Sequence, residues 1–194
     1  WISRFEKEKN KNNTATIPEA CAGHKPFWYS INPKKAHIVT TINPYKRLFF
    51  SYSDKPFAID QRLIGLQVQE GYDIELIAAL LNSAITLLII EEKGTSRNLG
   101  ALDLNANYLK QLCILNPELL EEDAKQQIKA AFQPLKYRDI LDIAEEVQME
   151  DRQHFDKTIF NVYGFDSNLL TVIYDLLVSS VEERIIKSKR TKAQ

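Results

Sequence analysis

The chain has 194 residues, of which 44% are apolar and 26% charged, and its formal net charge is −1. These values are ordinary for a soluble globular protein, and the length allows one large domain or two small ones with a real core. Cys21 and Cys113 are far apart and outside any Cys-x-x-Cys pair, which argues against a disulfide framework or a zinc site and favours a reducing cytoplasm.

The ends of the chain and its apolar runs bear on targeting. The chain opens on Trp1 and its only methionine is Met149, so we expect a fragment of a longer protein. No N-terminal apolar stretch resembles a signal sequence. The longest apolar run, residues 74–90, is interrupted by Glu75 and several uncharged polar residues, so it predicts a buried helix and no membrane partner.

Charge is unevenly distributed along the chain. Residues 1–110 carry 14 Lys/Arg and 11 Asp/Glu, residues 111–183 carry 6 and 15, and residues 184–194 carry 5 and none. Like charge repels a polyanion, so the acidic middle is a poor candidate for contact with nucleic acid, whereas the basic N-terminal part and tail could make it. Solvated faces of acidic helices would give the same pattern.

The N-terminal part is strand-like. Residues 27–31, 37–42 and 48–52 are aromatic or β-branched runs, and Ile64, Leu66 and Val68 alternate with Gly and Gln. Asn-Pro pairs and Asp54-Lys55-Pro56 separate these runs, and such residues break strands and favour turns. We therefore expect four strands between residues 27 and 68.

The following segment is helical and then forms a loop and a short strand. Asp73 can cap a helix that continues to about Glu92 and ends at Gly94. Residues 93–98 form a polar loop, and residues 99–104 read as a short strand. Within the apolar helix, Asn82 and Ser83 are expected to cap or bridge inside the fold.

The C-terminal part carries apolar residues at helical spacing. Asn116-Pro117 signals a helix start, and Gly164 a helix end with Ser167 capping the next helix. The sequence predicts an α+β fold. Residues 1–115 would form a mixed sheet and helix domain, and residues 116–194 a helical region.

The sequence carries no complete catalytic motif. The three histidines lack metal-ligand spacing, and no Gly-rich phosphate loop or Gly-x-Ser-x-Gly elbow is present. Glu91-Glu92-Lys93, with Asp60 or Asp73 upstream, has the residue types of a Mg²⁺-dependent nuclease, but the chemistry needs them at a strand end and they follow a helical segment. Asn43-Pro44-Tyr45 lacks a second proline of an amino-methylase motif and reads as a turn. No catalytic or metal site is predicted.

Four segments, in this order, resemble the C-terminal target-recognition region of adenine-N6 DNA methyltransferases from type II restriction–modification systems, including fused methylase–endonuclease enzymes. A basic residue precedes Trp-Tyr in residues 24–29, and Leu80-Leu81-Asn82-Ser83 matches a Leu-Leu-Asn-Ser helix. The segment from Asn98 through Gly100 to Leu104 matches the glycine and strand that follow. Residues 151–164 resemble a late helix.

The resemblance implies that this region lies on double-stranded DNA and reads its sequence before the adenine is flipped out. The S-adenosylmethionine site and the catalytic Asn-Pro-Pro-aromatic motif would belong to a catalytic domain of the same parent protein, absent from this sequence. The chain would then bind no cofactor and catalyse no reaction by itself.

The side chains expected to contact DNA are basic or polar and lie in strands, turns and the loop at 93–98. Lysine and arginine suit phosphates, and Arg or Asn can also form paired hydrogen bonds with guanine or adenine. They are Lys34, Lys35, Lys46, Arg47, Lys55, Arg62, Lys93, Ser96, Arg97 and Asn98. The alternative function is a helical protein-interaction module, because residues 118–183 are acidic outside and apolar at helical spacing.

Overall fold

In the computed structural model, residues 2–31, 33–97 and 100–190 are described, and the chain divides into two compact units, residues 1–34 and 35–194. The predicted α+β class is confirmed, with an antiparallel sheet followed by helices. The predicted boundary after residue 115 lies within the second unit, whose apolar core includes residues from both sides of it.

The first unit holds two short helices, α1 (Ile2–Phe5) and α2 (Ile17–Ala20). Thr16 and Glu19 form a capping box at the start of α2. The strand expected at residues 27–31 is wrong. This stretch turns, with the Ser30 N–H donating to the Phe27 carbonyl at 2.8 Å and the Ser30 hydroxyl accepting from the Phe27 N–H at 3.0 Å. The local hydroxyl offers the backbone an alternative to strand pairing.

The second unit begins with a three-stranded antiparallel sheet in the order β2-β1-β3: β1 (Lys35–Thr41), β2 (Ser51–Ala58) and β3 (Leu63–Leu66). The strands predicted at 37–42 and 64–68 are confirmed in position. Pro56 does not end a strand as expected, because β2 is an edge strand. Its register against β1 shifts between Ala36 and Ile38, so residues 53–56 bulge outward, and an edge bulge tolerates a residue without an N–H.

The single helix predicted from Asp73 to Glu92 is instead two helices, α3 (Ile74–Leu81) and α4 (Ala84–Lys93), bent by 58°. The predicted Asp73 cap is confirmed, since its carboxylate accepts from the Leu76 N–H at 3.0 Å. The break arises because the Ser83 hydroxyl accepts from the Thr86 N–H and starts a new helix. Apolar periodicity does not reveal such a break, because the residues on both sides of it are buried.

No single helix in the described part of the chain is long and apolar enough to cross a bilayer. α3 and α4 meet that criterion only as a bent pair, by length and composition. Most of their residues are buried within the chain's own core.

The remaining elements follow in chain order. They are β4 (Thr95–Ser96), β5 (Leu102–Asp103), α5 (Ala106–Lys110), a 3₁₀ turn (Pro117–Leu119), α6 (Glu122–Lys136), α7 (Ile143–Glu146), α8 (Glu150–Tyr163) and α9 (Asn168–Arg190). The predicted Asn116 start and Gly164 end are confirmed, the latter with φ of 71°. At the start of α9, the side chain that accepts a backbone N–H is Asp166, at 2.9 Å from Asn168.

One apolar core joins the sheet to the C-terminal helices. It includes Ile38 from β1 and Phe50 just before β2, and it continues through α3, α4, α6, α8 and α9. α6 packs on α8 and α3, and α9 packs on α4. Two ion pairs, Lys129–Asp73 at 2.6 Å and Lys136–Glu75 at 2.7 Å, also tie α6 to α3.

A buried polar network occupies the break between α3 and α4. The Asn82 side chain accepts from the Phe50 N–H at 2.9 Å and donates to the Phe50 carbonyl at 2.8 Å. Arg152 of α8 donates to the Asn82 carbonyl at 2.7 Å and to Asp156 at 2.8 Å. Asp156 accepts in turn from the first N–H of α4, at Ala84. The expectation that Asn82 bridges inside the fold is confirmed.

The network leaves no buried group without a partner. Tyr174 of α9 donates to the second Asp156 oxygen at 2.9 Å. Burial raises the pKa of the Asp156 carboxyl, while Arg152, the Ala84 N–H and Tyr174 oppose that rise. Across the described residues, every buried side-chain nitrogen and oxygen has a hydrogen-bond partner. Satisfied polar networks of this kind specify one arrangement of a core.

We predict that Asn82→Ala lowers the free energy of unfolding by about 2–4 kcal/mol, because it leaves both buried polar groups of Phe50 without partners. Urea denaturation followed by circular dichroism measures this. The matched control is Asn161→Ala on the exposed face of α8, which should change stability by less than about 0.5 kcal/mol. Equal effects of the two substitutions would contradict the role given to Asn82.

Candidate nucleic-acid interface

Within the polar loop predicted at residues 93–98, Lys93 ends α4 and Thr95–Ser96 form the first strand, β4, of a β-hairpin. β4 pairs with β5 in the register Thr95 opposite Asp103 and Ser96 opposite Leu102. The turn closes through the Arg97 N–H, which donates to the Ala101 carbonyl at 2.7 Å, and the Gly100 N–H, which donates to the Arg97 carbonyl at 3.1 Å. Ser96 and Arg97 are exposed. Asn98, also predicted to contact DNA, lies outside the described residues.

Gly100 lets this hairpin lie directly against α9. Its φ is +76°, which L side chains rarely adopt, and a Cβ there would stand 2.8 Å from Ser188 Oγ and 2.9 Å from Ile185 Cα. The position therefore excludes a side chain for two independent reasons. The glycine noted in the sequence resemblance serves close packing between the hairpin and the last helix.

Arg184 of α9 joins the hairpin to α4 and to the chain before β2. Its guanidinium pairs with Glu91 of α4, donates to the Gly100 carbonyl, and donates to the Tyr45 carbonyl at 2.7 Å. The side chains of Arg184 and Glu91 are only 6% and 4% exposed. One buried cation thus holds α4, the hairpin and the turn at Tyr45 together, because its planar guanidinium presents several N–H donors at once.

The hairpin is also joined to the chain beyond β1. The Leu102 N–H donates to the Pro44 carbonyl at 2.8 Å and the Leu104 N–H to the Ile42 carbonyl at 2.9 Å. The Asn43 amide donates to the Leu102 carbonyl at 3.4 Å. The predicted Asn43-Pro44-Tyr45 turn therefore lies beside the hairpin, and its asparagine is used in holding the two together.

The predicted DNA-contacting side chains that are described, nine in number, are all exposed, but they form two groups at opposite ends of β1. Lys35 begins β1, Lys34 precedes it, and Lys55 lies in the β2 bulge beside this end. Seven residues of strand extend about 20 Å. At the far end, the Ile42 N–H donates to the Arg62 carbonyl. This end also carries Lys46, Arg47, Lys93 at the end of α4, and the hairpin with Ser96 and Arg97.

Two of the predicted cations are occupied by carboxylates. Lys46 pairs with Asp142 at 3.0 Å, and this hydrogen bond raises the pKa of the lysine. Arg97 pairs with Asp103 across the hairpin at 3.0 Å, with 57% of its side chain exposed. Exposed pairs contribute little stability and exchange partners readily, so Arg97 stays available to a ligand. Lys46 additionally accepts from the Ile143 N–H through its carbonyl and has a structural role.

A cleft of about 540 Å³ lies next to the end of β1 that carries Arg47, and it was not predicted from the sequence. One wall is formed by residues 47–54 and the other by residues 135–140. Asn82, Glu146 and Arg152 lie at its base, and Arg47 is the member of the predicted set that lines it. No local signal marks the second wall, because residues 135–140 are brought here by the packing of α6.

Ion pairs and rings hold the cleft walls in place. Tyr52 on the first wall stacks on Phe132 of α6, with ring centroids 6.3 Å apart, and the Lys136 ammonium lies 5.3 Å from the Tyr52 ring. Arg138 on the second wall donates to both Glu146 oxygens at 2.9 Å and to Asp151 at 2.6 Å. The cleft is therefore preformed by interactions within the protein.

The structure also bears on the nuclease alternative. Glu91 pairs with Arg184, and Glu92 accepts a hydrogen bond from the Ser180 hydroxyl. Both carboxylates belong to the helix α4 and its contacts with α9, so neither is part of a strand. Over residues 2–31, 33–97 and 100–190, no group of three or more His, Cys, Asp or Glu side chains could hold a metal ion.

Comparison with known proteins adds no relative. No protein-family model, no curated protein and no solved structure matches this chain.

We predict that Arg184→Met lowers the free energy of unfolding by about 3–5 kcal/mol, because it leaves the buried Glu91 carboxylate unpaired. The double variant Arg184→Met/Glu91→Leu should recover much of this loss, since both charges are then removed. Urea denaturation measures all three proteins. The control Arg97→Met breaks the exposed pair with Asp103 and should cost less than about 1 kcal/mol. A double variant no more stable than Arg184→Met would contradict the proposed coupling.

We predict that Asp151→Asn destabilises the protein at neutral pH by about 1–3 kcal/mol and that the difference shrinks on acidification. The hydrogen bond from Arg138 lowers the pKa of the Asp151 carboxyl below its usual value of 3.8. Its stabilisation is thus present above about pH 4 and is lost as the pH falls through the lowered pKa. Urea midpoints at several pH values test this. Asp175→Asn, at an exposed position of α9, is the control and should change stability by less than about 0.5 kcal/mol.

Proposed function

We propose that this chain binds double-stranded DNA and reads its base sequence, as the target-recognition part of an adenine-N6 DNA methyltransferase or a fused methylase–endonuclease. The observation that carries the proposal is the hairpin of β4 and β5. It presents Ser96 and Arg97 to solvent while Arg184 and Gly100 hold its base against α9. A two-stranded ribbon fits the major groove, and arginine is the commonest reader of guanine there.

Two of the segments that carry the family resemblance also contact each other. Leu80-Leu81-Asn82-Ser83 supplies the α3–α4 break, and the segment beginning at Asp151 supplies Arg152 and Asp156, which bond to Asn82 and Ala84. Residues distant in the sequence thus form one buried network. This supports reading them as parts of a shared scaffold, with the exposed hairpin as the variable reading element.

The second group of cations suits the DNA backbone. Lys35 is exposed about 20 Å along β1 from the hairpin end, and Lys55 is exposed in the β2 bulge. Exposed lysines neutralise phosphates without reading sequence. Residues 111–183, which carry 15 Asp/Glu against 6 Lys/Arg, would be repelled by DNA. The proposed interface therefore runs along the sheet side of the second unit, from Lys35 to the hairpin.

Methyl transfer is assigned to another part of the parent enzyme. S-adenosylmethionine would bind to the catalytic domain of the same protein, which is the second partner proposed for this chain besides DNA. The proposed location is the cytoplasm, in keeping with two unpaired cysteines. No residue of this chain is given a catalytic role.

The first test is fluorescence anisotropy of the whole chain with a library of random duplexes at low salt. The second is sequencing of the duplexes that the immobilised chain retains from the same library. We expect binding that weakens steeply as salt rises, because phosphate contacts release counterions. We also expect an enriched sequence motif. Absence of binding to any duplex at low salt would overturn the proposal.

Two variants separate reading from backbone contact. Arg97→Ala should cost about 1–3 kcal/mol of binding to the preferred sequence and relax the enriched motif at one position. Lys35→Ala should weaken binding to all duplexes alike and lower the salt slope by about 1. Lys157→Ala, an exposed cation on α8 within the acidic part, is the control and should change neither. Sequence preference unchanged in Arg97→Ala would remove the hairpin from the reading role.

A helical protein-interaction module is the second candidate, favoured by one stripe on α9. Leu170 and Leu177 of α9 are buried in the chain's own core, but Leu169, Val172 and Leu176 of the same helix are about half exposed. Replacing these three by serine should leave duplex binding unchanged. If it abolishes a concentration-dependent increase in sedimentation coefficient shown by the unmodified chain, the stripe is an association surface.

A further inference from the structure

The two faces of the β4–β5 hairpin differ in what they present. Ser96 lies opposite Leu102, and the neighbouring pair of Thr95 and Asp103 lies on the other face, because side chains alternate along a strand. Leu102 is 1% exposed and belongs to the apolar core, so its face is the inner one. Arg97 pairs with Asp103 and therefore shares the outer face.

The ion pair on the outer face involves one particular nitrogen of Arg97. Its Nε lies 3.0 Å from Oδ1 of Asp103. A guanidinium carries five N–H donors in a planar fork, so a carboxylate at Nε leaves the edge formed by Nη1 and Nη2 to another acceptor. Within the described residues, neither side chain forms a hydrogen bond or ion pair with a third residue. The Nη edge of Arg97 is therefore open to a ligand.

The carboxylate of Asp103 adds little to the stability of the hairpin. The side chains of Arg97 and Asp103 are 57% and 29% exposed, and ion pairs in water are weak. The hairpin is already held from its inner side by the buried pair of Arg184 and Glu91. A negative charge on a surface that meets DNA also repels the phosphates. Its contact with Arg97 is the feature that gives this charge a use.

Guanine is the base that this arrangement fits. In the major groove, its O6 and N7 accept two hydrogen bonds from one arginine. A long side chain loses rotamer freedom when it binds, and a partner that already holds Nε reduces that loss. Where guanine is absent, Arg97 gains no paired hydrogen bonds and the charge of Asp103 still repels the DNA. The pair therefore favours one sequence and also disfavours the others.

We propose that Asp103 determines the specificity of the hairpin: it holds the guanidinium of Arg97 so that the Nη edge reads a paired guanine, and its charge disfavours duplexes that lack this guanine. The proposal rests on the proposed function. Asp103 is a positioning residue, because it acts through Arg97. It is not among the side chains predicted from the sequence to contact DNA, since a carboxylate is not expected where a polyanion binds.

The experiment uses the whole chain and duplexes selected from a random library at low salt. Sequencing the duplexes retained by the unmodified chain and by Arg97→Lys identifies the guanine, because lysine keeps the charge but lacks the planar fork. Anisotropy then compares the selected duplex with one that carries 7-deazaguanine at this position, which lacks N7 but pairs normally. We expect the unmodified chain to bind the 7-deazaguanine duplex about tenfold more weakly, and Arg97→Lys to bind both alike.

Asp103→Ala gives the decisive comparison. We expect the guanine preference to fall from about tenfold to about twofold, while the affinity for the 7-deazaguanine duplex rises about threefold because a negative charge is removed. Asp103→Asn, which keeps an acceptor for Nε without the charge, should retain more of the preference than Asp103→Ala. In the Arg97→Lys background, Asp103→Ala should not change the preference. Asp175→Ala, an exposed carboxylate of α9 outside the hairpin, is the control and should alter neither affinity.

The contrary outcomes distinguish two failures. A guanine preference unchanged in Asp103→Ala, or an equal weakening of both duplexes, overturns the role given to Asp103. An effect that persists in the Arg97→Lys background, or a selected motif that Arg97→Lys leaves unchanged, overturns it as well. In each of these cases, sequence-selective binding by the unmodified chain still supports the proposed function. No binding of the unmodified chain to any duplex at low salt refutes the proposed function and the role of Asp103 with it.

Discussion

The hydrogen bonds of Asn82 are the constraint on which the second unit depends. They interrupt an apolar helix at its centre, pair with the backbone of Phe50 in the manner of a neighbouring strand, and give Arg152 of α8 a carbonyl to bind. Sheet, α3–α4 and α8 thereby meet at one buried point. An apolar residue at this position would remove the partner that Asn82 supplies to both the N–H and the carbonyl of Phe50.

Two buried arginines hold different parts of the fold in position. Arg152 organises the break in the core, whereas Arg184 of α9 organises the surface by joining Glu91, the Gly100 carbonyl and the Tyr45 carbonyl. The bend between α3 and α4 directs the end of α4 toward α9, where Arg184 can reach it. The hairpin and the cleft therefore both depend on these buried arginine contacts. Rigid elements hold their exposed side chains in place.

Local signals predicted much of the fold. The helix start at Asp73 and the helix end at the left-handed Gly164 depend only on neighbouring backbone, and both predictions are confirmed. Failures occurred where a distant partner overrides the local preference. Pro56 is accommodated because β2 is an edge strand, and the apolar run at 74–92 breaks because Phe50 and Asp156 satisfy the polar groups exposed by the break. Whether the predicted side chains contact DNA remains a prediction.

The sequence by itself determined the α+β class, the helix ends at Asp73 and Gly164, and the set of cations available to a polyanion, because each depends on residue type and short spacing. Only the tertiary structure decided which of these cations pair with a carboxylate. Lys46 is taken by Asp142, 96 residues away, while Arg47 faces a cleft whose other wall comes from α6 and the residues after it. Pairing across such separations depends on packing, and packing is set by the whole core rather than by any local pattern.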